Sequence, residues 1–434
     1  MNNSVLALLT ILCLFSVSSI TGLIQTVKAD SGTIYINAVG SISPSTAPIQ
    51  RNGDTYTLTG NISSDADGIV IERDNMILNG AGFSLQGPEV EMGTDSGIDV
   101  SYGSNVTIES VEINGFSRGV FLNSSYTTIS ENNVSNCFCG IIISSSSSNC
   151  VSGNNIIGNH ESDVMYKGIG IDIIFSSSNN MVSENKITNG YFGGQALYGY
   201  AGVQIVGCSD NNILENNITN SDYGVYIDSS NNNTISRNSV ASNDHYGMIL
   251  LQSSYNAISE NSMTANYNAS ILLEGSSNNT ISGNSMTDSG CGVDLEAYGT
   301  GSSNNEICEN NITGNGAGIS LSYSSNNIFY NNNFMNNTNQ VSSDNNSANA
   351  WDDGSSGNYW SDYLTKYPNA TQVDSSGVCN APYVIDTNNT DHYPLSVQYV
   401  VPEFPSIPAT MFFMLLTLLA VIICKKKGMK TSQS

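Results

Sequence analysis

Apolar residues recur along this chain in short alternating runs. In the stretch GVYIDSSNNNTISRNSVASNDHYG, from Gly224 to Gly247, Val225 and Ile227 alternate with outward candidates, and Ile235 and Val240 stand singly among Asn, Ser and Thr. The same pattern returns in GVFLNSSYTTISENNVSNCFCG from Gly119, in GVQIVGCSDNNILENNITNSDYG from Gly202 and in GMILLQSSYNAISENSMTANYN from Gly247. Its common form is G-φ-x-φ, a Ser/Asn turn, I-S-x-N-x-φ and a polar turn, where φ is aliphatic. Eleven units start at Gly68, Gly97, Gly119, Gly140, Gly170, Gly202, Gly224, Gly247, Ala269, Gly292 and Gly318. From Gly97 the spacings are 22, 21, 30, 32, 22, 23, 22, 23 and 26 residues. A fixed period of this size marks a solenoid.

Period-two alternation over three to five residues argues for strands, and Asn, Ser and Thr are poor in helix interiors. The expected fold is therefore all-β: a single-stranded right-handed parallel β-helix of about eleven coils, one unit per coil. Strands stack about 4.8 Å apart, so the rod would be on the order of 50 Å long. The Asn of I-S-x-N-x-φ recurs as Asn132, Asn154, Asn185, Asn216, Asn238, Asn261, Asn284 and Asn310. One per coil at one corner, these residues are expected to form a stacked amide ladder, and Asn tolerates the left-handed backbone of a tight corner.

Both ends read as addresses. Residues 1–29 are apolar with no charge before Lys28, and Val27-Lys28-Ala29 fits a signal-peptide cleavage site; an uncleaved N-terminal helix is the alternative. Residues 407–424 carry no charge and are followed by Lys425, Lys426 and Lys427, the pattern of a transmembrane helix with its lysines on the cytoplasmic side. Between them the expected parts are a leader and N-terminal cap over 30–67, repeats over 68–340, a C-terminal cap block over 341–400 and a sorting and anchor segment over 401–434. The chain would be exported and tethered at the cell surface by its C-terminus.

Charge sharpens this picture. The 434-residue chain has a formal net charge of −25, and residues 30–406 hold 7 positive against 37 negative side chains. So acidic a surface argues against nucleic acid as partner and suits cations, a salty medium or solubility. No cofactor is firmly implied; Ca²⁺ is compatible with the acidity, and no metal-ligand set can be named. Cysteines 137, 139, 150, 208, 291, 308 and 379 form no C-x-x-C pair, so zinc and thioredoxin motifs are unsupported. They read as small core residues in preference to a disulfide set.

Three segments carry a family resemblance. The opening GTIYINAVGSISPSTAPIQRNGDTYTLTGNI (32–62) with VIERDNMILNGAGFSLQG (70–87), the G-φ-x-φ…N-x-φ units, and WDDGSSGNYWSDY (351–363) with APYVIDTNNTDHYPLS (381–396) together resemble the NosD-like family, also described as the carbohydrate-binding and sugar-hydrolysis type. The resemblance covers most of residues 32–396. The segment DSSGVCN stands where family members often have an acidic, glycine-rich stretch. The resemblance implies a parallel β-helix surface protein. The family's namesake assists copper-site maturation, but residues 30–406 hold only His160, His245 and His392 and no His/Met cluster. VPEFP (401–405), the apolar span and the lysines resemble archaeal PEF-type sorting signals. Sequons at Asn61, Asn105, Asn217 and Asn311 suit an exported glycoprotein.

Candidate chemistry lies where the repeat departs from itself. Two coils run 30 and 32 residues, and the excess reads NHESDVMYKGI (159–169) and NGYFGGQALYGYA (189–201). These loops would raise a wall holding Tyr166, Lys167, Tyr191, Phe192, Tyr198 and Tyr200, with His160, Glu161 and Asp163. Aromatic faces beside carboxylates suit sugar rings; two loops merely packing on each other is an equal reading. Outward positions of the first strand include Asp99, Asp172, Gln204, Tyr226, Asp228 and Asp294. With Asp172 and Asp228 two coils apart, about 10 Å, they are candidate paired carboxylates. His245 is a candidate acid or base. Plain surface display of acids is the competing reading. Trp351 and Trp360 are expected to cap the last coil.

The expected function is a surface-tethered solenoid that binds polysaccharide or cell-envelope glycan, or serves a structural or adhesive role. The alternatives are a polysaccharide hydrolase, lyase or epimerase using Asp172, Asp228 and His245, and a copper-maturation accessory protein.

Overall fold

The computed structural model describes residues 32–88, 93–158, 168–188, 201–297, 299–373 and 375–401. Three long sheets of 14, 13 and 13 strands wrap one core as a right-handed parallel β-solenoid of about 12 turns. Each turn gives one strand to each sheet. In the turn that begins at Tyr223 these are Tyr223–Asp228 in sheet 1, Thr234–Ser236 in sheet 2 and Ser239–Ala241 in sheet 3. Each strand pairs in parallel with its counterpart one turn away, so Val225 sits between Val203 and Met248, and Ile235 between Ile213 and Ile258. Four aliphatic side chains per turn point inward, here Val225, Ile227, Ile235 and Val240, all fully buried. One turn alone has no surface to bury them against; its neighbours supply that surface on both sides.

The stack is one turn longer than the repeat count. Ile34–Ile36, Thr55–Leu58 and Ile62–Ser63 inside the leader already take places in sheets 1, 2 and 3. Two short strands, Ile42–Ser43 and Ile49–Asn52, run antiparallel at that end and occupy sheet edges that would otherwise be open. The unit placed at Ala269 shifts by one residue: Met248, Ile271 and Val293 are in register, so Ser270 holds the glycine position. Glycine is needed elsewhere because a Cβ at Gly224 would lie 2.4 Å from Val240 Cγ1, and one at Gly202 would lie 2.3 Å from Ile218 Cγ2. The sheet 3 residue of the Ser270 turn is the unbranched Met286, and Ser270 fits, 3.0 Å from the Ser289 hydroxyl.

All eight predicted ladder asparagines form one hydrogen-bonded column between sheets 2 and 3. Asn216 Nδ2 donates to Asn238 Oδ1 at 3.0 Å, and Asn238 Nδ2 donates to Asn261 Oδ1 at 3.0 Å. The backbone N–H of Asn216 also donates to Asn238 Oδ1 at 2.9 Å, while Asn238 Nδ2 reaches back to the Ile213 carbonyl at 2.9 Å. Each amide thus satisfies backbone groups of two neighbouring turns in a corner that water does not reach. The column continues through Asn332 to Asn358. The left-handed residue is not the asparagine itself but the one before it: Glu131, Glu184, Glu215, Arg237, Glu260 and Glu309 have φ between 56° and 59°. The ladder Asn points inward, so the bend falls on its exposed neighbour.

A second column went unread in the sequence. Asn149, Asn180, Asn211, Asn233, Asn256, Asn279, Asn305, Asn327 and Asn349 link the corner between sheets 1 and 2. Both columns end on the C-terminal block. Asn389 Oδ1 accepts from the Asn349 N–H at 3.1 Å, and Asp391 Oδ2 accepts from the Asn358 N–H at 2.8 Å. The same two side chains take the indole N–H groups of Trp351 and Trp360, at 3.1 and 2.8 Å. The indoles stack on the last core rings, Trp351 on Phe329 at 4.3 Å and Trp360 on Phe334 at 4.4 Å. The block therefore covers both the apolar and the polar cross-section of the final turn. Among the described residues all seven cysteines are free thiols, six of them buried.

No helix among the described residues is long and apolar enough to cross a membrane. Residues 1–29 and 407–424, the expected signal and anchor, lie outside the described residues.

Candidate carbohydrate-binding face

Strand parity sets what each sheet offers outward. In sheet 1 alternation puts G+2 and G+4 on the outer face, one row each, and the register skips the glycine, so that the G−1 residues pair as a further row. The G+2 row runs Asp99, Phe121, Ile142, Asp172, Gln204, Tyr226, Ile249, Leu272, Asp294 and Ser320. Unlike the inner positions, it changes character from turn to turn. Asp172 is only 8% exposed, and Gln204 Nε2 donates to its Oδ1 at 3.0 Å. Burial pushes the Asp172 carboxyl up to about 7, with the Gln204 bond opposing.

The two proposed carboxylates lie in different rows of the face. Asp172 faces Gln204, which faces Tyr226, whereas Asp228 belongs to the next row and faces Val206 and Leu251. Two strand spacings and a two-residue rise separate their Cα positions by roughly 12 Å, against about 10 Å for the two turns alone. The strand has two outward rows, and the two residues stand in different ones. Asp228 instead takes the Ser229 hydroxyl at 2.8 Å and the Tyr226 hydroxyl at 3.4 Å. His245 is exposed at the corner into sheet 1, with Nδ1 3.4 Å from the Asn268 amide nitrogen. Neither Asp172 nor Asp228 is hydrogen-bonded to it among the described residues.

His245 and Tyr226 do meet around a residue the sequence reading passed over. The Tyr223 ring lies 5.6 Å from Tyr226, 5.9 Å from His245 and 6.1 Å from Tyr246, nearly parallel to the last. Tyr223 and Tyr246 are in direct register as G−1 residues, one strand spacing apart. The signal was present as Tyr-Gly at two successive unit starts, one repeat apart. Beside these rings the outward Ile249 and Leu272 are 5% and 3% exposed. All three tyrosines are half-buried, so their rings are partly covered.

Carboxylates rim this patch. Glu274 and Glu296 are in register on neighbouring strands, as are Leu272 and Asp294. Burial raises the Asp294 carboxyl to about 6, and its Oδ1 is buried without a hydrogen-bond partner. Burial and then Glu296 raise Glu274. Burial, then Glu296 and Asp294, hold the Tyr246 hydroxyl at about 12; burial, then Asp228, does the same for Tyr226. Past His245, on the corner from sheet 3, an open depression is lined by Asn243, Asp244, Asn266, Tyr267, Asp288 and Gly290 among others.

Tyr166, Lys167, Tyr191, Phe192, Tyr198 and Tyr200 lie outside the described residues, as do His160, Glu161 and Asp163. Both insertions lead from a strand of sheet 3 into one of sheet 1, Ile169–Ile174 and Ala201–Val206, and the second of these pairs with Tyr223–Asp228. Among the described residues no group of three or more His, Cys, Asp or Glu is placed to hold a metal ion.

The fold defines the class: a model of the right-handed β-helix region matches residues 48–209. A second family model, described as periplasmic copper-binding protein (NosD), matches residues 193–365. The chain thus has the right-handed β-helix fold and resembles the NosD family over residues 193–365. No curated protein matches it in sequence. Among solved structures it resembles the Dettilon tailspike protein (gp208), at 17% identity and a TM-score of 0.52, over 73% of this chain and 60% of that one. It also resembles the periplasmic alginate epimerase AlgG, at 16% identity and a TM-score of 0.50, over 68% of this chain and 80% of that one. At such identities the likeness is one of fold.

Proposed function

We propose that this protein is a surface-tethered solenoid that binds polysaccharide on the outer face of sheet 1. The observation that carries the reading is the cluster of Tyr223, Tyr226, Tyr246 and His245, set beside carboxylates on an otherwise rigid sheet. Sugar rings offer apolar faces to aromatic rings and hydroxyl rims to carboxylates. A face that repeats every 4.8 Å or so suits an extended chain better than a small molecule. Similar folds occur in an alginate epimerase and a phage tailspike, which fits a glycan partner. Tethering rests on the apolar span at 407–424 and the lysines after it. The test is retention of the chain on immobilised glycans. Tyr223→Ala with Tyr226→Ala should lower retention at least tenfold, and unchanged retention would sink the reading.

A second reading is favoured by Asp172. A carboxyl that titrates near 7 in a half-covered sheet face can serve as general acid or base. This is polysaccharide processing without an Asp172–Asp228 pair. New chain ends, or inverted uronate centres, that vanish in Asp172→Asn would establish it.

Among the described residues the copper reading gains no support, since no group of three or more His, Cys, Asp or Glu is placed to hold a metal ion. Met248, Met263, Met286, Cys137 and Cys208 are core side chains, while His245 and His392 are exposed and apart from them.

A further inference from the structure

Resting on the glycan-binding reading, the same face also defines which glycans fit. Between residues 201 and 343 the chain carries twelve Asp and Glu but a single Lys or Arg, Arg237. That guanidinium sits at the corner between sheets 2 and 3, where Nε donates to Glu215 Oε1 at 2.8 Å. The described strands of sheet 1 from Ala201 onward therefore present no fixed positive charge beside the tyrosines. What they present is Asp228, Glu274, Asp294 and Glu296, with Glu274 and Glu296 in register. Asp294 lies among them, its carboxyl beside Ser320 and Glu296 and its Oδ1 buried. A uronate chain brought to this face meets carboxylate against carboxylate, and among the described residues beside the tyrosines only His245 is a basic group. An ammonium group would relieve the same arrangement two ways: it neutralises the paired Glu side chains and sits favourably at a tyrosine face.

We infer that the Tyr223–Tyr226–Tyr246 face selects glycans built of unacylated amino sugars and rejects polyuronates. The tyrosine rings supply stacking common to neutral and amino sugars. The Glu274–Asp294–Glu296 edge supplies the discrimination, because only a 2-ammonium group carries charge complementary to it. Exposed charge pairs are screened by salt, so the discrimination should shrink as ionic strength rises, while the stacking contribution persists.

The experiment is calorimetric titration of the full chain at pH 6.5 with three hexasaccharides: β-1,4-glucosamine, its fully N-acetylated counterpart and alginate. The glucosamine hexamer should bind at least tenfold tighter than the acetylated one at 50 mM salt, and alginate should not bind. The double variant Asp294→Asn, Glu296→Gln should bring the glucosamine affinity down to that of the acetylated hexamer and leave the latter unchanged. Equal affinity for both amino-sugar hexamers, sensitive to Tyr226→Ala, would overturn the charge selection while keeping the glycan platform. Alginate binding at this face would overturn it too. No binding of any hexamer would count against both this inference and the reading beneath it.

Discussion

The corner between sheets 2 and 3 and the outer face of sheet 1 are both rich in amides and carboxylates, yet they are organised in opposite ways. At the corner the same residue recurs turn after turn, buried, each amide bonded to the next. On the sheet 1 face the G+2 row passes from Asp172 to Gln204, Tyr226, Ile249, Leu272 and Asp294 within six turns. Periodicity marks positions where each turn must satisfy its neighbours' backbone. Aperiodicity marks positions the stack does not constrain, and there the chain can carry a surface of its own. In a solenoid, departure from the repeat is thus the better guide to recognition.

Substitutions should separate the two regions. The largest effect is expected at the ladder. Asn238→Ala strands the Asn216 amide, its backbone N–H and the Ile213 carbonyl in a dry corner, so the unfolding free energy should drop by about 3–5 kcal/mol. Denaturant titration measures it, and glycan retention of the still-folded fraction should be unchanged.

Asp172 tests whether the face is free of structural cost. Its carboxyl rises to about 7 in the fold from an ordinary 3.8, so the folded state binds the proton more tightly. Its contribution is complete below pH 3.8 and is lost as pH rises through about 7. Between pH 4 and 7 the unfolding free energy should fall by up to roughly 4 kcal/mol from this group. Asp391 and Asp294, both raised to about 6 chiefly by burial, act in the same direction. Denaturation midpoints across pH 4–8 should therefore decline, and Asp172→Asn should flatten the upper part of that decline. A slope identical in the variant would show that Asp172 carries none of it.

Gly224→Ala places a Cβ against Val240 and the Gly247 carbonyl, and overpacking of this kind costs about 1–3 kcal/mol. The same change at the equivalent Ser270 adds no atom and should cost only the buried hydrogen bond to Ser289, about 1 kcal/mol. Matched denaturation curves of the two variants make the comparison. The smallest stability effect is expected for Tyr226→Ala, within about 1 kcal/mol, although its effect on glycan retention should be among the largest.

Much of this protein was legible before any coordinates. The alternation of Val225 with Ile227, the lone Ile235 and the recurring Asn238 position declare strand, inward face and ladder, because those features depend on a residue and its near neighbours. Periodic positions are self-announcing: a residue that must meet its own copy one turn away repeats at the turn length. The second ladder was equally periodic and could have been found from the Asn–Asn pairs that open each sheet 2 strand.

What the tertiary structure alone decided is the register between turns. It separated Asp172 from Asp228 by a row, joined Tyr223 to Tyr246 and brought His245 beside them. It buried Asp172 enough to hold its proton near neutrality and sent Asn389 and Asp391 to close ladders that start more than two hundred residues earlier. The rows of Asp172 and Asp228 and the Tyr223–Tyr246 pair follow from offsets within the repeat once the register is known; the burial of Asp172 and the reach of Asn389 and Asp391 do not. Those arise where strands from different turns lie side by side about 4.8 Å apart, and the residues that meet there share no spacing by which the chain could announce them.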